Sequence, residues 1–327
     1  MGIIKERRKL NKAIRNAKNI FLMAHKNLDL DALGSQIGMY MILKKKKKNC
    51  FIIIDDKEHE AGVEKVLREL DGVMNRIKSS EIEEYMDSRQ SKNLLIILDT
   101  NKTELVQSKE VLNKIDKKIV IDHHDLGKTT IKKAEIIDDS KVSSTCEMIT
   151  SLIEFYDVEL DSYYATILLS GIVLDTNNYT LNTSAETYYS SYYLASLGAS
   201  AKKVQYLLKQ DINEYTERQK LMADIETIDD KIAFTRASAN TIYRREDLAK
   251  VADTLLFFNN IEASFVIGKI GKDTIGVSAR SLGNYDIGKI LTKLGGGGDN
   301  NAGAATKENT TLAKVEQELK KILKEGE

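Results

Sequence analysis

Four short apolar runs, each followed by polar residues, divide the first part of the chain. They are NIFLMAH from residue 19, NCFIIIDD from residue 49, NLLIILDT from residue 93 and KIVIDHH from residue 118. Each run is rich in Ile, Leu, Val or Phe and is too short for a typical helix, which predicts a strand. The segments between them, such as GSQIGMYMILKKKKK and GVEKVLREL, show helical spacing. Strand and helix therefore alternate, which is typical of an open, mostly parallel α/β sheet.

The second part of the chain has a different pattern. A long segment with helical spacing, AKKVQYLLKQDINEYTERQKLMADIETI, precedes shorter alternating runs, KIAFTRAS, EASFVIGKI and DTIGVSARS, then LGGGGDNNAGAA and a lysine-rich terminal helix. A chain of 327 residues is long enough for two cores. We predict a parallel-sheet α/β domain over residues 1–185, a helical linker over 186–228 and a smaller α/β domain over 229–327.

Charge and cysteine content limit the classes of function. The chain has 49 basic residues (Lys and Arg) and 49 acidic residues (Asp and Glu). This balance does not favour nonspecific binding to long nucleic acid. Cys50 and Cys146 lie outside any metal-binding spacing and are predicted to be small buried hydrophobes, as in a reducing compartment. No apolar run approaches the roughly 18 residues that span a bilayer. We therefore predict a cytoplasmic chain without a membrane segment.

Five consecutive lysines, residues 44–48, close a predicted helix in front of a predicted strand. Such a run suits the negative pole of the helix dipole and is usually a solvated end. A site for a polyanion is the alternative interpretation.

Histidines and aspartates gather where the predicted strands end. Three of the four histidines lie beside aspartates, in MAHKNLDLDALG and IDHH, and further aspartates end the runs LLIILD and LLSGIVLD. Ligands bind beyond the carboxyl ends of parallel strands, so we expect these groups to converge on one edge of the sheet. The set is His25, Asp29, Asp31, Asp99, Asp122, His123, His124 and Asp175.

Gathered carboxylates repel one another unless cations neutralise them. Oxygen-rich ligands with some imidazole favour manganese or magnesium, with iron or cobalt as alternatives, over structural zinc. Two metals about 3.5 to 4 Å apart can bind the attacking and leaving oxygens of a phosphoester and lower the pKa of a water. The set therefore predicts a binuclear metal site, although any single aspartate is also explained as a strand-end or helix-capping residue.

The motifs resemble a known family. HKNLDLDALGS, LLIILDT, IVIDHH and GIVLDTNNYTLNTSAET are similar to the four successive motifs of the DHH phosphoesterases. ASFVIG, VSARSLGNYDIGKIL and LGGGGDNNAGAAT resemble the DHH-associated substrate-binding domain that follows them. The resemblance covers nearly the whole chain, and the motif sequences are most similar to those of the GdpP-type cyclic-di-AMP phosphodiesterases.

The resemblance implies a role for each residue of the set. One metal would be held by His25, Asp29 and Asp99, and the other by Asp31, Asp99, His123 and Asp175, so that Asp99 bridges the pair. His124 would meet the scissile phosphate, and Asp122 would orient the pair, either from behind the ligands or as an adjacent ligand.

The same resemblance implies substrate contacts in the second domain. Ser278 and Arg280 of SARS, the glycine run that includes Gly296, Gly297 and Gly298, and the following Asp299 would receive the far phosphate and the nucleotide. Glycine lets backbone amides approach an anion, and arginine can bind phosphate through two hydrogen bonds.

Three positions depart from the family pattern. Leu28 stands where proline is usual, Asp125 follows IDHH where a basic residue is common, and Asp299 ends the glycine run where histidine is common. The last two place negative charge where an anionic substrate is expected.

The resemblance implies a phosphodiesterase that uses two divalent metals, with manganese preferred, to convert cyclic di-AMP into linear 5′-pApA. The enzyme alternative is a nanoRNase or pAp phosphatase with the same site, and the non-enzyme alternative is a nucleotide-binding sensor. Pyrophosphatase is disfavoured because relatives with that activity carry a different second domain. The predicted partner is a small cyclic or linear dinucleotide, a homodimer is left open, and similar proteins are membrane-anchored with this unit facing the cytoplasm.

Overall fold

The computed structural model describes residues 2–55, 59–238 and 240–324. It divides into two compact units, Met1–Lys209 and Gln210–Glu327. The predicted linker, residues 186–228, spans this division: its first helices belong to the first unit and its last part to the second.

The first unit is built from one sheet with helices on both faces. Its strands are β1 (Asn19–Met23), β2 (Asn49–Ile53), β3 (Arg76–Ile77), β4 (Asn93–Leu98), β5 (Lys118–Asp122) and β6 (Glu135–Asp138). Its helices are α1 (Gly2–Asn16), α2 (Leu30–Lys45), α3 (Ala61–Glu69), α4 (Ile82–Tyr85), α5 (Lys109–Lys114), α6 (Thr145–Phe155), α7 (Ser162–Asp175), α8 (Ala185–Ser196) and α9 (Ala201–Leu207).

The strands pair in parallel in the order β3-β2-β1-β4-β5-β6. The predicted parallel α/β sheet is therefore confirmed, and the four apolar runs form β1, β2, β4 and β5. Their side chains are buried on both faces of the sheet, which explains their unbroken apolar sequence. Strand order reverses between β1 and β4, and ligands of such sheets bind at that reversal. Leu28, in the loop after β1, is fully buried in the core.

Helices α2, α6 and α7 pack closely on one face of the sheet. The apolar run LLSGIVLD forms the end of α7, so Asp175 is the last residue of a helix and does not follow a strand. Gly171 on α7 lets this helix approach: a Cβ there would lie 2.6 Å from Cys146 Sγ and 2.8 Å from Asp31 Cα. Both cysteines, Cys50 and Cys146, are buried and unpaired by disulfides.

The second unit is a smaller mixed α/β domain, as predicted. Its elements are α10 (Ile212–Leu221), β7 (Ile225–Ile228), β8 (Ile232–Arg236), α11 (Arg245–Leu255), β9 (Ala263–Lys269), β10 (Thr274–Ser281), α12 (Ile287–Lys293), β11 (Gly297–Gly298), β12 (Ala302–Glu308) and α13 (Leu312–Lys324). The sheet order is β11-β12-β10-β9-β8-β7, with one parallel pair, β8 and β9, and antiparallel pairs elsewhere. Among the described residues of both units, no helix has the length and apolar character needed to cross a membrane.

Candidate metal centre

Asp99 lies at the centre of the histidine and aspartate set. It follows β4 directly and adopts a left-handed backbone conformation, with φ +58°, which few residues other than glycine adopt. Its backbone N–H donates to the carbonyl of Ile121 at 3.0 Å, which fixes this turn. The buried carboxylate then reaches both sides of the site: Oδ2 is 3.3 Å from His25 Nε2 and Oδ1 is 3.5 Å from His123 Nε2.

His25, Asp29 and Asp99 form the first ligand set, with one donor atom of each within 4.8 Å of the others. Asp29 is the N-cap of α2, and its Oδ1 accepts hydrogen bonds from the backbone N–H groups of Asp31 and Ala32. Burial lowers the pKa of His25, but hydrogen bonds to Asp29 and Asp99 outweigh it and raise this pKa to about 11. The carboxylates of Asp29 and Asp99 therefore make positive charge strongly favourable at this set.

Asp31, His123 and Asp175 form the second set, again within 4.8 Å. The carboxylate of Asp31 is fully buried. It accepts hydrogen bonds from the backbone N–H groups of Thr145 and Cys146 at the start of α6, both at 2.8 Å. Burial, with the charges of Asp99 and Asp175, raises the pKa of Asp31 well above its usual range. Burial likewise raises the pKa of Asp175.

The donor chemistry of both sets fits divalent cations. His123 Nε2 is buried 3.2 Å from Asp175 Oδ2, yet within the described residues it makes no hydrogen bond. A buried ring nitrogen without a partner is costly unless something else binds it. Carboxylates that raise one another's pKa are stabilised by a cation in the same way. The two sets would hold one cation each, with Asp99 between them.

His124 lies beside these sets and is oriented by Asp122. Its Nδ1 is 2.8 Å from Asp122 Oδ1, while 52% of its side chain is exposed. Burial lowers the pKa of His124, but the hydrogen bond to Asp122 and the charge of Asp99 raise it to about 9. Because Nδ1 is engaged, Nε2 is the ring nitrogen that can meet a ligand. Asp125, the next residue, is exposed.

Two side chains of this site were not predicted from the sequence. Asn101 Nδ2 donates to Asp122 Oδ2 at 2.6 Å and to the carbonyl of His124 at 3.0 Å. Thr145 Oγ1 donates to Asp99 Oδ1 at 3.0 Å. Asn101 lies two positions after Asp99, and Thr145 follows the N-cap Ser144, so the available signals were a polar residue beside a candidate ligand and a helix start.

In the second unit, Ser278 and Arg280 lie on the same face of β10. Arg280 Nε donates to Asp253 Oδ1 on α11 at 2.7 Å, and its Nη1 donates to Ser278 Oγ at 3.4 Å. Burial raises the pKa of Asp253, although the charge of Arg280 opposes that rise. Asp253, which was not predicted, therefore fixes the direction of the Arg280 guanidinium.

The glycine run packs against β12. A Cβ at Gly296 would overlap the carbonyl oxygen of Ala304, and one at Gly298 would overlap that of Ala302. A Cβ at Gly297 would have no neighbour within 4 Å among the described residues. The first and last of these glycines are thus explained by close backbone pairing.

Asp299 ends the run and caps the following turn. Its Oδ1 accepts hydrogen bonds from the backbone N–H groups of Asn301 and Ala302, at 2.7 and 2.8 Å. A cavity of about 450 Å³ lies beside it and is lined by Gly298, Asp299, Lys289 and Lys293 among others. In the described part of the chain, Ser278 and Arg280 do not line this cavity.

Comparison with known families agrees with this arrangement. The DHH family N-terminal domain matches residues 19–172, which carry the whole metal set except Asp175. The DHHA1 domain matches residues 229–325. The chain belongs to the DHH family.

Two relatives of this DHH chain are named for the same activity. The cyclic-di-AMP phosphodiesterase GdpP of Geobacillus thermodenitrificans (strain NG80-2) is 33% identical over 318 residues, which are 96% of this chain and 48% of GdpP. The cyclic-di-AMP phosphodiesterase PdeA of Listeria monocytogenes serotype 1/2a (strain 10403S) is 33% identical over 314 residues, 95% of this chain and 48% of PdeA. The DHH chain therefore spans about half the length of these relatives.

Solved structures share the fold of the DHH chain at low identity. An exopolyphosphatase-related protein from Bacteroides fragilis superposes with a TM-score of 0.79 at 19% identity, covering 98% of this chain and 96% of that one. RecJ of Thermus thermophilus, solved in complex with Mn²⁺, gives a TM-score of 0.52 at 15% identity, covering 99% of this chain and 55% of RecJ.

Proposed function

We propose that this chain is a metal-dependent phosphodiesterase that hydrolyses cyclic di-AMP to linear 5′-pApA. One observation carries the reaction class: Asp99 belongs to the ligand set of His25 and Asp29, and its Oδ1 also lies 3.5 Å from His123 Nε2 of the second set. Each set is compact enough for one cation. Hydrolases that act on phosphoesters use paired cations in this way.

The cations would supply an activated water and would neutralise charge on the phosphoryl oxygens. Manganese is our first choice, because carboxylates with some imidazole suit it, and magnesium, cobalt and iron are the alternatives. The Mn²⁺ complex of RecJ, which shares the fold, is consistent with that choice.

The residues of the chain hold and orient the reacting groups. Backbone N–H groups at the start of α6 fix Asp31, and the N-cap geometry of α2 fixes Asp29. Asn101 and Asp122 hold the His124 ring so that Nε2 faces outward. This nitrogen is placed to donate a hydrogen bond to a phosphoryl oxygen or a proton to the leaving 3′ oxygen. Water adds across one P–O bond, which leaves a 5′ phosphate and a 3′ hydroxyl.

The choice of substrate rests on different observations. Both relatives described above are named cyclic-di-AMP phosphodiesterases. The second unit offers an oriented arginine, Arg280, and a cavity of about 450 Å³ with Lys289 and Lys293 in its lining. A guanidinium suits a phosphate, and a cavity of this size suits a nucleoside. We propose that the second unit binds the nucleotide, while the first unit carries out the chemistry.

The experiment is a comparison of cyclic di-AMP, pApA and pAp as substrates, with manganese, magnesium or cobalt added to chelator-treated protein. We expect manganese-dependent conversion of cyclic di-AMP to pApA, with much slower turnover of pAp. Faster hydrolysis of pApA or pAp than of cyclic di-AMP would overturn the substrate, and metal-independent turnover would overturn the reaction class.

An artificial diester separates the two parts of the proposal. Bis-p-nitrophenyl phosphate has no nucleotide for the second unit to bind. Manganese-dependent cleavage of this diester without cleavage of cyclic di-AMP would support the metal centre and reject the substrate. A protein that binds cyclic di-AMP but cleaves neither compound would be a sensor.

A further inference from the structure

The amino-terminal edge of the first sheet concentrates positive charge. Because the strands are parallel, the segments at the starts of β2, β1, β4, β5 and β6 meet at one edge, in that spatial order. Those segments contain twelve Lys or Arg residues and a single acidic residue, Asp116, although the whole chain has a formal net charge of zero. They are residues 44–48, 15–18, 90–92, 116–118 and 132–134, and we name them the basic edge.

Direct contacts join three of these segments, residues 15–18, 44–48 and 90–92. Lys48 Nζ donates to the carbonyls of Arg15 and Ala17, at 3.0 and 2.9 Å, and Lys92 Nζ donates to the carbonyl of Asn16 at 3.3 Å. Burial lowers the pKa of Lys48, and the neighbouring charge of Lys92 lowers it further. The cations therefore repel one another, which an anionic surface would relieve.

Some of these lysines are engaged within the fold, while others are exposed. Lys46 Nζ lies 3.6 Å from the centre of the Tyr156 ring, and Lys45 pairs with Asp157 at 3.6 Å. In contrast, Lys47, Lys117, Lys132 and Lys133 are exposed. Nearby acidic residues outside the basic edge pair with particular cations: Asp87 with Lys18 at 2.9 Å, and Glu135 with Lys9 at 3.1 Å. These pairs leave a large excess of positive charge.

We infer that the basic edge binds an anionic lipid bilayer. Its cations are lysines except for Arg15, and clusters of exposed lysine are attracted to anionic headgroups through their combined charge. Sites for single-stranded nucleic acid instead combine cations with open aromatic rings that stack bases. Here the rings of Tyr40 and Tyr156 already face the ammonium groups of Lys44 and Lys46.

Binding at this edge is compatible with activity. His25, Asp99 and His123 follow the carboxyl ends of their strands, so a strand of five or six residues, about 17 Å at the usual rise, separates them from the basic edge. A bilayer at one edge of the sheet leaves the candidate metal centre at the other. This inference does not rest on the proposed substrate.

The test uses the full chain and vesicles of neutral phosphatidylcholine, with or without about 30% phosphatidylglycerol, at about 0.1 M salt. Sedimentation should show binding to the anionic vesicles alone, and about 1 M salt should abolish it. A variant with Lys47→Gln, Lys117→Gln, Lys132→Gln and Lys133→Gln should bind at least about tenfold more weakly.

A matched variant controls for net charge. Lys109→Gln, Lys202→Gln, Lys272→Gln and Lys314→Gln remove the same number of charges from exposed positions elsewhere, and binding should stay within about twofold of the original chain. Equal losses in both variants, or no vesicle binding by the original chain, would overturn the inference. Salt-sensitive binding to poly(U) RNA without binding to vesicles would assign the edge to nucleic acid instead. Thermal melting of each variant shows that it folds.

Discussion

The side-chain amide of Asn101 donates a 2.6 Å hydrogen bond to Asp122, whose other carboxylate oxygen holds the ring of His124. Asp122 is fully buried, so it depends on these partners to keep its charge and direction. The sequence Asp99, Thr100, Asn101 thus supplies both a candidate bridging ligand and the support for the neighbouring histidine.

Replacing Asn101 by alanine should lower kcat for cyclic di-AMP by about 10- to 100-fold, the usual loss when the support of a site residue is removed. KM and the number of manganese ions bound should change little, because the Asn101 amide donates to Asp122 and to the carbonyl of His124, which lie outside the two three-residue ligand sets. Steady-state kinetics and calorimetric titration with manganese give these values. An unchanged kcat would show that His124 needs no such support.

Gly171 should be essential for the position of Asp31. In Gly171→Ala, the new methyl group would overlap Cys146 Sγ and the backbone of Asp31, at a cost of about 1–3 kcal/mol in the free energy of unfolding. Manganese affinity should fall as Asp31 shifts. Urea unfolding and manganese titration measure the two effects.

Gly127→Ala is the matched control, because a Cβ at Gly127 has no neighbour within 4 Å among the described residues. If both alanine variants bind manganese equally well, the close approach of α7 does not position the ligand.

Much of the first unit could be predicted from the sequence. The four apolar runs can be recognised as strands because both of their faces are buried and their sequences are continuously apolar. Strands β3 and β6 are too short to produce such a pattern. Asp99 and His123 could be found for the same reason, because they directly follow buried strands, whereas Asp175 ends helix α7. The predicted site roles of all these residues await experiment.

The support for those ligands could not be predicted. Thr145 and Cys146 reach Asp31 across 114 and 115 positions of sequence, and Arg280 reaches Asp253 across 27. Such pairs are set by tertiary packing, and no local pattern marks them. The left-handed backbone conformation of Asp99 likewise could not be predicted, because an apolar run that ends in aspartate gives no sign of it.

Arg280 should act on nucleotide binding. Arg280→Lys keeps a charge near Asp253 but loses the planar donors that bind phosphate through two bonds. We expect KM for cyclic di-AMP to rise about tenfold or more, equivalent to about 1.4 kcal/mol, with unchanged manganese stoichiometry and unchanged cleavage of bis-p-nitrophenyl phosphate. Equal KM values for the dinucleotide would remove Arg280 from the binding site.

Asp299 tests whether charge at the glycine run weakens substrate binding. Asp299→Asn keeps an oxygen that can accept from Asn301 and Ala302 while it removes the negative charge. KM for cyclic di-AMP should fall, by about tenfold if about 1.4 kcal/mol of repulsion is relieved. Asp299→His removes the turn cap as well, so it should gain less. If neither substitution changes KM, Asp299 serves the turn alone.

The most direct test of the bridging role of Asp99 is the rate of cyclic di-AMP hydrolysis by Asp99→Asn at saturating manganese. The amide lacks the negative charge that would attract two cations, so we expect turnover to fall at least about a hundredfold, while circular dichroism shows an intact fold. Near-normal turnover by Asp99→Asn under these conditions would contradict a binuclear centre built on this residue.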